Sequence, residues 1–146
     1  MVNKEISELM IRNMNNFQNL IKTTNDERYK QGKVLTKKQF FALAEIQKHD
    51  KIELKNLSKV LYVSTSSLCI LLNKLVEQGY VYRKEDTKDR RNTFYGITEK
   101  GQEVVNQEIN KFMDIISKKL NAIDKEQREM LRSNLERTEE IISCIF

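Results

Sequence analysis

The chain of 146 residues contains no proline and only four glycines, so it has little of the material that builds turn-rich sandwiches and barrels. One histidine and two cysteines exclude multi-histidine metal sites and a four-ligand zinc knuckle; no metal and no cofactor is expected. The longest apolar runs are about five residues, where a membrane span needs roughly 20, so no membrane partner is expected. The opening residues, Met1 to Glu5, lack the basic-then-apolar pattern of a secretion signal. The expected setting is therefore cytoplasmic, with Cys69 and Cys144 as reduced thiols. The lone His49 has no obvious nucleophile partner, and neither a Gly-rich phosphate loop nor a carboxylate pair on one face is present. An enzyme is not expected.

What is abundant is charge. Hydrophobic residues make up 39% of the chain and charged residues 32%, a balance suited to long amphipathic helices. Lysine and arginine number 26 against 21 acidic residues, a formal charge of +5. The excess is local: residues 33–101 hold 14 basic and 8 acidic residues, while the two flanks together hold 12 and 13. A basic centre between nearly neutral arms makes a polyanion the candidate partner.

Apolar periodicity through Ile6, Met10, Phe17 and Ile21 predicts a helix to about Lys30, with Gly32 as its stop. Thr36 and Gln39 form a capping box, stapled by Leu35 against Phe40, that opens a second helix to about Lys48. After a polar break at His49–Lys51, the residues Leu54, Leu57, Val60 and Leu61 define the buried face of a short third helix. Ser64 caps a fourth, with Val63 stapled onto Leu68, and Gly79 closes it. The period then changes to two: 80–85 and 93–98 read as an antiparallel hairpin around a charged loop, Asp86–Asn92. Thr98 caps a long helix, about 99–122, with Val105, Ile109, Phe112, Ile116, Leu120 and Ile123 on one stripe. Asp124 opens a last helix with a stripe of Leu131, Leu135, Ile142 and Ile145. The fold class is mainly α with a small β-hairpin wing (α+β).

Two short helices, a tight turn and a two-stranded ribbon make a winged helix-turn-helix. At 100° per residue, Leu68, Leu71, Leu72 and Leu75 share one side of the fourth helix, and Ser66, Ile70, Asn73 and Glu77 share the other. Ser64 or Thr65 serves as cap, and the face behind it is small, polar and led by helix amides. Ser66 and Ser67 can reach phosphate or base, Asn73 an adenine edge or phosphate, and Lys74 a phosphate. In the loop, Lys88, Asp89, Arg90 and Arg91 put two adjacent arginines at a ribbon tip, suited to a narrow minor groove. Asp89 fits there only by neutralising one arginine and fixing the loop. The candidate contact set to double-stranded DNA is thus Ser64, Thr65, Ser66, Ser67, Asn73, Lys74, Lys88, Asp89, Arg90 and Arg91. The alternative is a winged-helix protein–protein interaction module without specific DNA binding.

In order along the chain, Leu35-Thr36 with Gln39, Leu57-Ser58 with Val63-Ser64, Leu75 with Gly79-Tyr80-Val81 and Arg83, Asp86 with Asp89-Arg90-Arg91, and Ile97-Thr98-Glu99-Lys100-Gly101 resemble the MarR family of bacterial transcriptional regulators. The resemblance implies a homodimer whose N- and C-terminal helices (1–34 and 103–146) form the dimerisation region around a DNA-binding domain at 35–102. It also implies a near-palindromic operator, and repression relieved by a small molecule. It assigns base and phosphate contact to Ser66, Ser67, Asn73 and Lys74, and minor-groove contact to Arg90 or Arg91, steadied by Asp89. Cys69-Ile70 stands where the family often has a Thr-Arg pair, and no cysteine lies in the N-terminal helix where oxidant-sensing relatives carry theirs. An effector pocket in such an architecture would draw on Phe17, Tyr29, Phe41, His49 or Tyr62.

Overall fold

A computed structural model describes residues 1–145; Phe146, the last residue of the expected C-terminal region, lies outside the described residues. The chain divides into two units, one from Met1 to Phe112 and one from Met113 onward.

In the first unit, α1 runs Val2–Gly32. It stops one residue later than expected: Lys33, at φ 50, takes the left-handed position instead of Gly32. The capping box at Thr36 is formed, with Gln39 N donating to Thr36 Oγ1 at 3.2 Å and Thr36 N donating to Gln39 Oε1 at 3.1 Å. It opens α2, Lys37–Gln47. The next element, β1 at Ile52–Glu53, was not expected from the sequence. It is followed by α3, Leu54–Leu61, and α4, Thr65–Glu77. The ribbon strands are β2, Val81–Glu85, and β3, Thr93–Ile97. The sheet has three strands rather than two, ordered β1-β3-β2 and antiparallel. Its register pairs Ile52 with Tyr95, and Val81 with Ile97. Two residues carry no periodicity, so β1 exists only because β3 offers it a free edge.

In α3 and α4 the helix faces follow the predicted spacing with one exception. Leu57, Leu68, Leu72 and Leu75 are fully buried together with Leu35, Leu43, Ile46 and Val105. Val60, expected on the buried face of α3, is 47% exposed: in an eight-residue helix the core reaches only Leu57 fully, with Leu54 and Leu61 packed at its edge.

The hairpin is tied back to α5, Glu99–Lys119, by Thr98. Its Oγ1 donates to Gly79 O at 2.6 Å and accepts from Gly101 N at 3.0 Å, so one hydroxyl joins the end of α4 to the start of α5. Gly79 itself sits at φ 80, a conformation that side chains resist. Gly101 is required for another reason: a Cβ there would overlap the Tyr80 carbonyl and press on Ile97 Cγ1 at 2.8 Å. Gly101→Ala is expected to destabilise the fold by about 1–3 kcal/mol, the usual penalty for overpacking against backbone. A thermal melt checks it, and an unchanged midpoint would mean that α5 can shift away.

In the second unit, α5 ends in a single 3-10 turn at Leu120–Ala122 and α6 runs Lys125–Ser143. Asp124, expected to open this helix, forms a capping box with Gln127. No residue of α6 is buried; Met130, Leu131, Leu135, Ile141 and Ile145 are between 38% and 66% exposed. Among the described residues no single helix is long and apolar enough to cross a membrane.

Candidate nucleic-acid interface

The helices α3 and α4 meet at 108°, within the range of roughly 90–120° for helix-turn-helix pairs. The turn between them is Tyr62-Val63-Ser64. Tyr62 takes φ 54 without being glycine, and its side chain is 95% exposed. A non-glycine residue in that conformation costs about 1–2 kcal/mol. Tyr62→Gly is therefore expected to stabilise the protein by about 0.5–1 kcal/mol, after glycine's greater chain entropy is deducted. A lower melting point in that variant would show that the exposed ring holds something in place. The turn is also pinned by Ser58, whose Oγ donates to Val63 O at 2.5 Å.

Ser64 is the cap of α4. Its Oγ accepts from Ser67 N at 3.2 Å and donates to Ser67 Oγ at 3.0 Å. Two of the four serine and threonine hydroxyls at this end are thus engaged with each other, while Ser66 stands clear. Ser66, Asn73 and Lys74 are all exposed, as is Ile70 at 74%. The opposite side of α4 carries the buried Leu68, Leu72 and Leu75, with Leu71 half-buried. The helical-wheel division of this helix matches the observed one residue by residue.

The seven-residue wing loop is folded by two aspartates. Asp86 Oδ1 accepts from Lys88 N at 3.0 Å, and Asp89 Oδ1 accepts from Arg91 N at 3.1 Å. The same Asp89 oxygen takes Arg91 Nε at 3.2 Å. Asp89 therefore does neutralise one arginine and fix the loop, and the arginine is Arg91. Lys88 and Arg90 remain exposed; no carboxylate partners either of them among the described residues. The wing is not remote from α4: Arg91 and Asn92 line one shallow cleft with Thr65 at the start of α4 and Lys55 on α3. The structure thus brings the helix start and the wing base together. Lys55, which the sequence reading did not single out, belongs to the same surface.

A family model described as "MarR family" matches residues 35–93. Residues 35–93 form a MarR-family domain. Over 67 residues the chain is 34% identical to the HTH-type transcriptional regulator SarZ of Staphylococcus haemolyticus, and the match spans about half the length of each, 46%. Among solved structures, the fold is similar to apo MarR from E. coli, with a TM-score of 0.76 and 23% identity over 90% of this chain and 94% of that one. It is similar also to the transcriptional regulator Tm0710 from Thermotoga maritima, with a TM-score of 0.75 and 25% identity over 95% and 97%. A third neighbour is FabT of Streptococcus pneumoniae in complex with DNA, with a TM-score of 0.62 and 20% identity over 98% and 99%.

Two further features lay outside the sequence reading. The first is a cavity of about 150 Å³ lined by Lys38, Phe41, Leu61, Val63, Ser67, Leu68 and Leu71. Of the residues expected at a pocket only Phe41 contributes: Tyr62 projects into solvent, and His49 is exposed with its Nε2 3.4 Å from Glu45 Oε1. The second is Arg28, fully buried with Glu108. Glu108 interrupts the apolar stripe between Val105 and Ile109, and that break in the pattern was its only signal. Both cysteines are free; Cys69 is half-buried and Cys144 exposed at the end of α6, not packed in a core within this chain.

Proposed function

We propose that the chain is a homodimeric, sequence-specific DNA-binding transcriptional regulator. It acts as a repressor at a near-palindromic operator in the cytoplasm, with α4 in the major groove and the wing in the adjacent minor groove. The observation that carries the reading is the shared cleft of Thr65 and Arg91. It puts an amide-rich helix start and a cationic loop on one surface, and a duplex meets both kinds of group at once. In this reading Ser66, Ser67 and Asn73 read base edges or phosphates, Lys74 and Lys88 hold phosphates, and Arg90 enters the minor groove. Ser64 and Thr65 bring helix amides to the backbone, while Asp89 holds Arg91 in register. Ile70 offers a methyl contact to thymine.

Pairing of two copies is supported by the helices outside the lobe. Residues 2–19 of α1 are exposed throughout, including Ile6, Leu9, Met10, Met14 and Phe17, and α6 exposes a second apolar set. Apolar helix faces of this extent mark a protein interface. Relief of repression by a small molecule is supported by the cavity beside α4, because filling it would press on Ser67 and Leu71 of the same helix.

Selection of bound sequences from random duplex DNA tests the proposal. Two similar half-sites in inverted orientation, about 10 base pairs apart from centre to centre or a multiple of that, are expected. Recovery of no enriched sequence would overturn it.

A further inference from the structure

Arg28 spends its whole guanidinium inside the protein. Its side chain is 0% exposed and that of Glu108 1%. Nε donates to Asn25 Oδ1 at 2.8 Å, Nη1 to Glu108 Oε1 at 2.8 Å and Nη2 to Leu35 O at 2.9 Å. The ring of Phe40 lies against the guanidinium face, with its centroid 4.3 Å away. One planar group thus joins α1, α5, the link before α2 and the first turn of α2.

The core around this joint is apolar (Leu35, Phe40, Val105 and Ile109 among it) and its contacts have no preferred direction. One exposed hydrogen bond, from Gln47 Nε2 to Asn106 Oδ1 at 2.8 Å, also joins α2 to α5. A guanidinium held by three in-plane bonds and a stacked ring has its position and its tilt both fixed. The joint also carries a burden that stability alone does not account for. Buried Thr24 Oγ1 and Asn25 Nδ2 have no partner, and well-packed apolar groups often replace a buried ion pair at no loss of stability.

We propose that Arg28 is a positioning residue that fixes the tilt of the winged lobe on α1 and α5 and so sets the half-site spacing that a pair of chains accepts. The spacing clause rests on the reading of the chain as a duplex-binding dimer. The tilt clause does not.

The test uses the full chain with both native cysteines replaced by serine and nitroxides at Lys22 and Lys88. Labelled chain is diluted with excess unlabelled chain, so that distances within one chain dominate. The distance distribution is expected to be narrow in the parent and at least about twofold broader in the R28M/E108L double variant. Arg28→Lys keeps the charge but not the fork, and should broaden it as well. Glu108→Gln keeps the acceptor and should leave it narrow. Should the double variant fail to fold by circular dichroism, the Lys and Gln variants decide the matter between them. An unchanged width in Arg28→Lys and in any folded double variant would overturn the proposal.

The second readout is the ratio of affinities for duplexes with the selected spacing and with one added base pair. It should fall by about tenfold in the broadened variants, the usual discrimination lost at one site feature. A broad distribution with an unchanged ratio would overturn the spacing clause. Failure of the parent to bind any duplex, with the distribution narrow and broadened as described, would sink the DNA-binding reading and uphold the tilt.

Discussion

Glu108→Ala is expected to lower the stability of the protein by about 3–5 kcal/mol, the penalty for leaving one partner of a buried ion pair alone. Burial already pulls the Arg28 guanidinium below its ordinary pKa, and Glu108 opposes that pull through its charge and its hydrogen bond. Without the carboxylate the desolvated cation keeps two neutral acceptors, Asn25 Oδ1 and the Leu35 carbonyl, and the face of Phe40. Lys111, whose Nζ lies 2.9 Å from Glu108 Oε2, loses its partner too, but it is partly exposed and regains water. In a chain of this length the loss corresponds to a fall in melting temperature of roughly 10 °C or more. The R28M/E108L double variant should recover most of it, because neither buried charge is then left over. A single variant within about 1 kcal/mol of the parent would mean that water reaches Arg28.

Arg90→Ala and Arg91→Ala together are expected to weaken binding to a selected duplex by about tenfold to a hundredfold for each arginine, without a change in melting temperature. The loop buries little: Arg91 is 91% exposed, and Arg90 is exposed as well. The two should not contribute alike. Arg91 is already half-neutralised by Asp89 and helps to fold the loop, so its removal should loosen the wing as well as remove a charge. Arg90 should act through charge alone. Equal melting points with unequal affinities, measured for the two single variants, would bear this out. A melting point that falls with affinity would make the wing a structural element instead.

The helix starts were the most legible part of the fold, because the capping groups sit within three residues of each other. The box of Thr36 with Gln39 and the helix starts at Ser64 and Asp124 are all formed as read. The two faces of α4 and the pairing of Asp89 with one wing arginine were legible for the same reason, since a helix period and a two-residue reach are local; that the arginine is Arg91 was not. What was missed depends on distant sequence. The strand β1 is two residues long and exists by pairing with Phe94 and Tyr95. Arg28 and Glu108 are 80 residues apart. Tyr62 takes a glycine-like conformation because the turn between α3 and α4 must be tight, and nothing in its own side chain announces that. Lys33 likewise takes the stop position beside a glycine that looked better suited to it.

The central claim is that α4 and the wing present their cations and donors to a duplex, and the dependence of affinity on salt tests it most directly. The logarithm of the association constant should fall linearly with the logarithm of salt concentration, at about −0.9 for each phosphate neutralised. The combined Arg90→Ala and Arg91→Ala variant should have a slope shallower by between about one and two such units. A parent whose affinity is indifferent to salt, or a variant whose slope equals the parent's, would contradict the account.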